Sequence, residues 1–332
     1  MKSRLSILIV NLFIFALGSI FLVNSVSAKT YQLGHVFGTS NSNHKGALKW
    51  SELVEQYTGG QVKIAVFPAG QLGGDRELGQ AMKMGTLAFS VHNPGAAAND
   101  IRLFIGALPF LSPSYEMADK LILKGWIGEQ ASKYCLEKGW RVFAWGENDF
   151  RQLTNSKRPV KTVKDIEGLK LRVPQAPIMV AVWKALGAIP TPIAFPELYT
   201  ALSQKTVDGQ ENGLLLTYSS RLYEVQKYFT FTNYMYSGTA FTVSDKVWKT
   251  FDQKTQEAIK KAAVEAADWA VKQNRADVGA AKAAMEKAGV EFYDMPPEEL
   301  AKLKKIAVEV SWSMIKPKVG PEVWDKLIKL QE

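Results

Sequence analysis

The stretch from Glu167 to Asn233 constrains the fold most, because its hydrophobic period changes repeatedly within a short span. Leu169, Leu171 and Val173 alternate with Lys170 and Arg172, the period-2 pattern of a half-buried strand. Pro174 ends that strand and leaves Arg172 near its carboxyl end, where open α/β sheets bind ligands. Met179, Val182, Trp183 and Leu186 then recur at helical spacing, closed by Gly187. Ile189–Ile193 reads as a short extended run, Pro196–Ser203 as a helix and Thr206–Gln210 as another strand. Strand and helix alternating this tightly imply parallel pairing through right-handed crossovers. Three groups then converge at one sheet edge: the Arg172 guanidinium, the Phe195 ring and the Asn212 amide. Together they suit a planar carboxylate on a small carbon body.

An earlier unit repeats the pattern. Tyr31–Val36, Val62–Phe67 and Leu87–Val91 read as strands, separated by a helix from Asn43 to about Tyr57 and by a Gly-rich loop, Gln71–Asp75, that leads into a helix to Met84. His92-Asn93-Pro94-Gly95 turns the chain after the third strand. Ser114 caps a further helix, and Arg141–Trp145 is another strand. Asn155–Lys161, polar and basic, is the expected passage between two lobes, and Tyr234–Val243 the expected return. Lys254–Ala288 is rich in Ala, Glu and Lys and predicts one helix on the order of 50 Å long. The pattern lacks Leu or Ile at strict heptad positions, which argues against a coiled coil. Met295-Pro-Pro297 separates this helix from a helical tail.

The peptides GLKLRVP, LGAIPTPIAFPELYTAL, VDGQEN and YEVQKYFTFTN, all within Gly168–Asn233, resemble the signature run of tripartite ATP-independent periplasmic (TRAP) solute-binding proteins, the DctP family. The resemblance extends more loosely from about Tyr31 to beyond Trp248. It implies an α/β, two-lobed, type II periplasmic-binding-protein-like fold. Each lobe would be a mixed sheet flanked by helices, with a long helix backing and bending with both. The expected division is a signal peptide over 1–28, lobe I over 29–150 with a crossing segment at about 234–252, and lobe II over 151–233 with part of the C-terminal region. The long helix would cover 253–289 and the tail 290–332. The resemblance makes Arg172 the carboxylate-binding arginine, Asn212 a ligand amide, Phe195 a pocket ring and Arg151 a second basic ligand group. It also leaves Glu147 and Asn148 within reach of ligand hydroxyls.

Each assignment has a plainer alternative. Arg172 can pair on the surface with Asp165 or Glu167, Asn212 can cap a helix near Leu214, and Phe195 can be core. In the first lobe, sialic-acid-binding members carry polar or charged groups at positions aligned with Val36, Asn93 and Ala96. Here two are apolar, which points to a smaller acid, with C4-dicarboxylates first and uronates second. His35 and Asn93 remain as first-lobe hydrogen-bonding candidates, or as local loop contacts.

The chain ends fit an exported protein. Lys2 and Arg4 precede a mostly apolar run from Leu5 to Val23, and Val26-Ser27-Ala28 offers small residues for cleavage. An uncleaved anchor is the rival reading. Lys plus Arg number 41 and Asp plus Glu 32, for a net charge of +9, so removal of Lys2 and Arg4 leaves 9 − 2 = +7. The single cysteine, Cys135, rules out an internal disulfide and offers no lipid attachment near the cleavage point. A free periplasmic monomer is therefore expected, handing its ligand to a permease of two integral membrane subunits. No cofactor is implied.

Enzyme readings lack parts. The three histidines, His35, His44 and His92, form no metal motif, and there is no G-x-S-x-G, P-loop or dinucleotide fingerprint. A hydrolase using Asp208 and Glu211 is the distant alternative, and a ligand sensor for a signalling receptor is the nearer one. The basic charges are spread along helices without aromatic interleaving, so nucleic acid is not an expected partner.

Overall fold

The computed structural model describes residues 28–330. The expected signal peptide lies outside them apart from Ala28. In chain order the strands and main helices are β1 (Lys29–Gly34), α1 (Ser42–Tyr57), β2 (Val62–Phe67), α2 (Asp75–Met84), β3 (Phe89–His92), α3 (Trp126–Glu137), β4 (Trp140–Asn155), β5 (Lys170–Val173), α4 (Pro177–Ala185), β6 (Ile189–Pro192), β7 (Gly209–Asn212), α5 (Leu214–Ser219), β8 (Tyr228–Ser244), α6 (Gln253–Lys287), β9 (Glu291–Asp294), α7 (Pro297–Val319) and α8 (Pro321–Ile328).

All nine strands join in one sheet of order β2-β1-β3-β8-β4-β7-β5-β6, with β9 beside β8. Its middle is an antiparallel ribbon of β4 and β8, running from Trp140 opposite Ser244 to Asn155 opposite Tyr228. One end of the ribbon carries β3 and the parallel strands β1 and β2. The other end carries β7, with β5 and β6 parallel to it. These two ends are the lobes. The parallel pairing expected around Arg172 is present.

The lobe boundaries expected at residues 150 and 234 therefore fall inside continuous strands. The passage is the ribbon itself rather than the polar loop Asn155–Lys161. The tail also contains a strand, β9, that its composition did not suggest.

Local sequence explains the elements around the cleft. Helix α2 begins where the Gly74 N–H donates to Glu77 Oε2 at 2.9 Å, and stops at Gly85, whose φ of 82° ends a helix without Cβ strain. Helix α4 buries Ile178, Met179, Val182 and Trp183 on one face. Helix α6 is capped by Asp252, which accepts from the Thr255 N–H at 2.7 Å. Its alanine face, from Ala262 to Ala270, enters the first-lobe core, so closely that a Cβ on Gly46 of α1 would lie 2.8 Å from Ala270. Its last turns place Ala281 and Met285 against Leu214, Leu215 and Phe229 on the second-lobe side. One helix thus packs on both lobes.

Candidate ligand-binding site

A cleft of about 530 Å³, open solvent at its mouth included, lies between the lobes beside the middle of the ribbon. Arg172 of β5 is its most distinctive wall group. The residue is 2% exposed, its Nε donates to the Ile193 carbonyl at 2.9 Å, and its guanidinium lies 5.7 Å from the centroid of the Phe195 ring. Among the described residues, its two terminal nitrogens have no hydrogen-bond partner. Burial pushes this guanidinium down to about 10, against the pull of Glu211 and Asp75, so it remains a cation at neutral pH. A buried cation with an unused fork is matched to a carboxylate.

Arg151 of β4 also lines the cleft, but its charge is already balanced. Its Nη2 donates to Glu211 Oε1 at 2.8 Å and to the Glu211 carbonyl at 2.6 Å, and its Nε donates to Oε2. Tyr234 donates its hydroxyl to the same carboxylate at 2.6 Å. The second basic group expected from the resemblance is thus brought to the cleft wall, already paired there with Glu211.

Asn212 and Asn148 both line the cleft. The Asn212 side-chain amide donates to Gln210 Oε1, and its carbonyl oxygen has no partner among the described residues. The Asn148 side chain, in a residue 7% exposed, has no partner among the described residues. Asn93 lines the cleft too, but its carbonyl caps the turn at Gly95 at 3.0 Å and its amide donates to Ser237 Oγ at 3.0 Å. It is a structural cap at the cleft edge.

Two expected residues are elsewhere. Glu147 is not a wall residue: its carboxylate accepts from Tyr236 at 2.9 Å, from Asn274 at 2.9 Å and from Arg275 at 2.7 Å. His35 is likewise absent from the wall. Its Nδ1 accepts from the Phe37 N–H at 3.2 Å, which puts the ring proton on Nε2, directed at His44 Nδ1 at 3.1 Å. Burial and the neighbouring His44 push His35 down to about 3, so both local facts favour the loop-contact alternative.

Sequence reading missed Asp75, read only as the residue leading into α2. It lines the cleft, accepts from the Asn93 N–H at 3.1 Å and is pushed up to about 6 by burial, partly offset by that bond and by Arg172. Phe104, Met179, Leu216, Met235 and Ser237 complete much of the remaining wall. Their spacing in sequence carries no signal of convergence. Asp208 and Glu211 do not form a hydrolytic pair: Asp208 accepts from the Lys170 N–H at 3.0 Å, while Glu211 is engaged by Arg151. Among the described residues, no cluster of three or more His, Cys, Asp or Glu can hold a metal.

A cleft between two lobes, with one buried, unpaired guanidinium and two asparagines on its wall, suits a small organic acid. Residues 33–316 match the model of bacterial extracellular solute-binding protein family 7, DctP, and the chain belongs to that family. It is 31% identical over 273 residues to the 2,3-diketo-L-gulonate-binding periplasmic protein YiaO of Escherichia coli, covering 82% of this chain and 83% of that one. It is 31% identical over 296 residues to the C4-dicarboxylate-binding periplasmic protein DctP of Rhodobacter capsulatus, covering 88% and 87%. The sugar acid binding protein of Advenella mimigardefordensis in complex with galactonate superposes with a TM-score of 0.86 at 28% identity, covering 91% of this chain and 97% of that one.

Proposed function

We propose that this chain is the periplasmic solute-binding subunit of a TRAP transporter, that it acts as a monomer, and that it closes on a small hydroxylated monocarboxylate for delivery to the membrane permease subunits. The observation that carries the reading is Arg172, buried in the cleft with its fork unpartnered. The segment Met1–Ala28 supplies the export signal in this reading.

Charge balance selects among acids. Arg151 is balanced by Glu211, so Arg172 is the cation left for a ligand, and Asp75 stands in the same cleft. A second carboxylate would be buried without a counter-cation, which costs several kcal/mol as a rule of thumb. The Asn212 carbonyl and the Asn148 amide instead suit ligand hydroxyls. The preference expected from sequence, C4-dicarboxylate before sugar acid, is thereby reversed. The similarity to proteins named for 2,3-diketo-L-gulonate and galactonate supports this order.

Isothermal titration calorimetry with galactonate, erythronate, glucuronate and succinate tests it. A hydroxylated monocarboxylate should bind tightest, with succinate at least about tenfold weaker. Asp75 adds a pH signature. A ligand carboxylate on Arg172 weakens the pull that lowers the Asp75 pKa, so this carboxyl, already near 6, rises further and takes up a proton on binding. Affinity should therefore increase as pH falls from about 8 to about 6, with the uptake read from titrations in buffers of different ionisation enthalpy. Tightest binding of succinate would overturn the ligand class. Affinity that falls over the same pH range would remove Asp75 from the site.

A further inference from the structure

The ribbon is irregular where it passes the cleft. Glu147 pairs with Gly238 and Phe150 with Tyr236, so Asn148 and Asp149 together oppose the single residue Ser237. That is a β-bulge, which bends a strand and re-aims a side chain. Asp149 adopts a left-handed φ of 70°, a strained conformation that persists only where the surroundings enforce it.

The surroundings do enforce it. Asp149 Oδ1 accepts from its neighbour's Phe150 N–H at 2.7 Å and from the Tyr115 hydroxyl at 2.7 Å. On the other side of Asn148, the Glu147 carboxylate is gripped by Arg275 of α6, which also donates to Asp119 at 2.6 Å and lies 4.4 Å from the centroid of the Tyr115 ring. Gly213 makes room for the bulge, since a Cβ there would stand 2.1 Å from the Asn148 carbonyl oxygen. Across Glu147–Asp149 both carboxylates are engaged. The Asn148 amide alone has no partner among the described residues, and Asn148 lines the cleft.

We propose that Asp149 and Arg275 are positioning residues for ligand recognition: they hold the bulge that turns the Asn148 amide onto a ligand hydroxyl, and they tie that amide to helix α6. The proposal rests on the reading of the cleft as the acid site. Neither residue lines the cleft, so each acts through Asn148.

Three variants test it: Asp149→Ala removes both the side-chain acceptor and the tolerance for positive φ, Asp149→Asn keeps both, and Asn148→Ala removes the amide. Crystal structures come first. Asp149→Ala should withdraw the Asn148 side chain from the cleft and Asp149→Asn should retain it; an unmoved amide in Asp149→Ala overturns the proposal. Calorimetry with galactonate follows. Asp149→Ala should bind about tenfold more weakly than wild type, Asp149→Asn close to wild type, and Asp149→Ala in the Asn148→Ala background no more weakly than Asn148→Ala alone. An equal loss in both backgrounds overturns it. Should Asp149→Ala fail to fold, Tyr115→Phe deletes one of the two bonds to Asp149 and is read in the same way. If wild-type protein binds none of galactonate, erythronate and succinate, the assignment of the cleft fails, while the crystal structures still decide whether Asp149 positions Asn148.

Discussion

Arg151 on the ribbon and Arg172 on β5 reach the same cleft, are buried to the same degree and do opposite things. Arg151 is 4% exposed and Arg172 2%. Glu211, in the neighbouring strand β7, meets Arg151 with both carboxylate oxygens, and Tyr234 adds a third contact to that carboxylate. Arg172 has one backbone acceptor and an aromatic face. Burial acts on both guanidiniums; Glu211 outweighs it for Arg151, whose pKa is raised, while for Arg172 burial wins. A buried arginine is therefore not in itself a ligand group. What distinguishes one is unspent hydrogen-bonding capacity aimed at a space.

The largest effect that can break this contrast is on stability. Glu211→Gln leaves Arg151 buried beside a neutral amide, and breaking a buried pair by neutralising one partner costs about 3–5 kcal/mol. Chemical denaturation of the ligand-free variant should show a loss of that size. A loss below about 1 kcal/mol would mean that Arg151 is not held by Glu211, and the two arginines would then be equivalent ligand groups.

The reverse pattern is expected at Arg172. Arg172→Lys keeps a charge but loses the planar fork and should weaken acid binding by about 2 kcal/mol, with Arg172→Ala weaker still. Neither should lower the melting temperature of ligand-free protein, because no carboxylate in the described residues forms a salt bridge with Arg172. Tight acid binding by Arg172→Ala, or its unfolding without ligand, would return Arg172 to a structural role.

How much of this was visible in the sequence follows from where each signal resides. Arg172 was legible because a local alternation, Leu169 to Val173, and a local stop, Pro174, fix both its strand and its place at the strand end. The pairing of Arg151 with Glu211 was not, because the partners lie sixty residues apart. The ribbon was hidden by its own polarity. Gly146–Asn155 is buried throughout, yet it carries Glu147, Asn148, Asp149, Arg151 and Gln152, so burial leaves no hydrophobic period to read. Buried polar residues need partners, and those of this run come from Asn43, Tyr236 and Arg275, far along the chain, so no local pattern announces a strand. Helix α6 was legible from composition alone. Asp75 was not, since a carboxylate opening a helix has a sufficient local explanation in the helix dipole.

The smallest expected effect separates the two arginines by what keeps each of them dry. Arg151 lines the same cleft, but Glu211 holds it through both carboxylate oxygens, and Tyr234 braces that carboxylate. Arg172 shares its cleft walls with Asp75 and Ala96 of the first lobe, so its isolation from water depends on closure. The two lobes touch at defined points. Asn41 donates its amide to Ser219 Oγ at 3.0 Å, and Arg76 donates to the Gln175 carbonyl at 3.3 Å. Beside the first of these, Gly38 approaches Ser219 so closely that a Cβ would stand 2.8 Å from its carbonyl oxygen. Gly38 has no left-handed φ, so alanine fits its backbone and clashes only when the lobes meet. Gly38→Ala should leave the ligand-free melting temperature unchanged and weaken acid binding by about 1–2 kcal/mol, the usual cost of overpacking at a close contact. Small-angle scattering with a bound acid should give a smaller radius of gyration than without it for wild type, and a smaller contraction for Gly38→Ala. An affinity equal to wild type would show that Arg172 holds its acid without closure. The difference between the arginines would then lie in Glu211 alone.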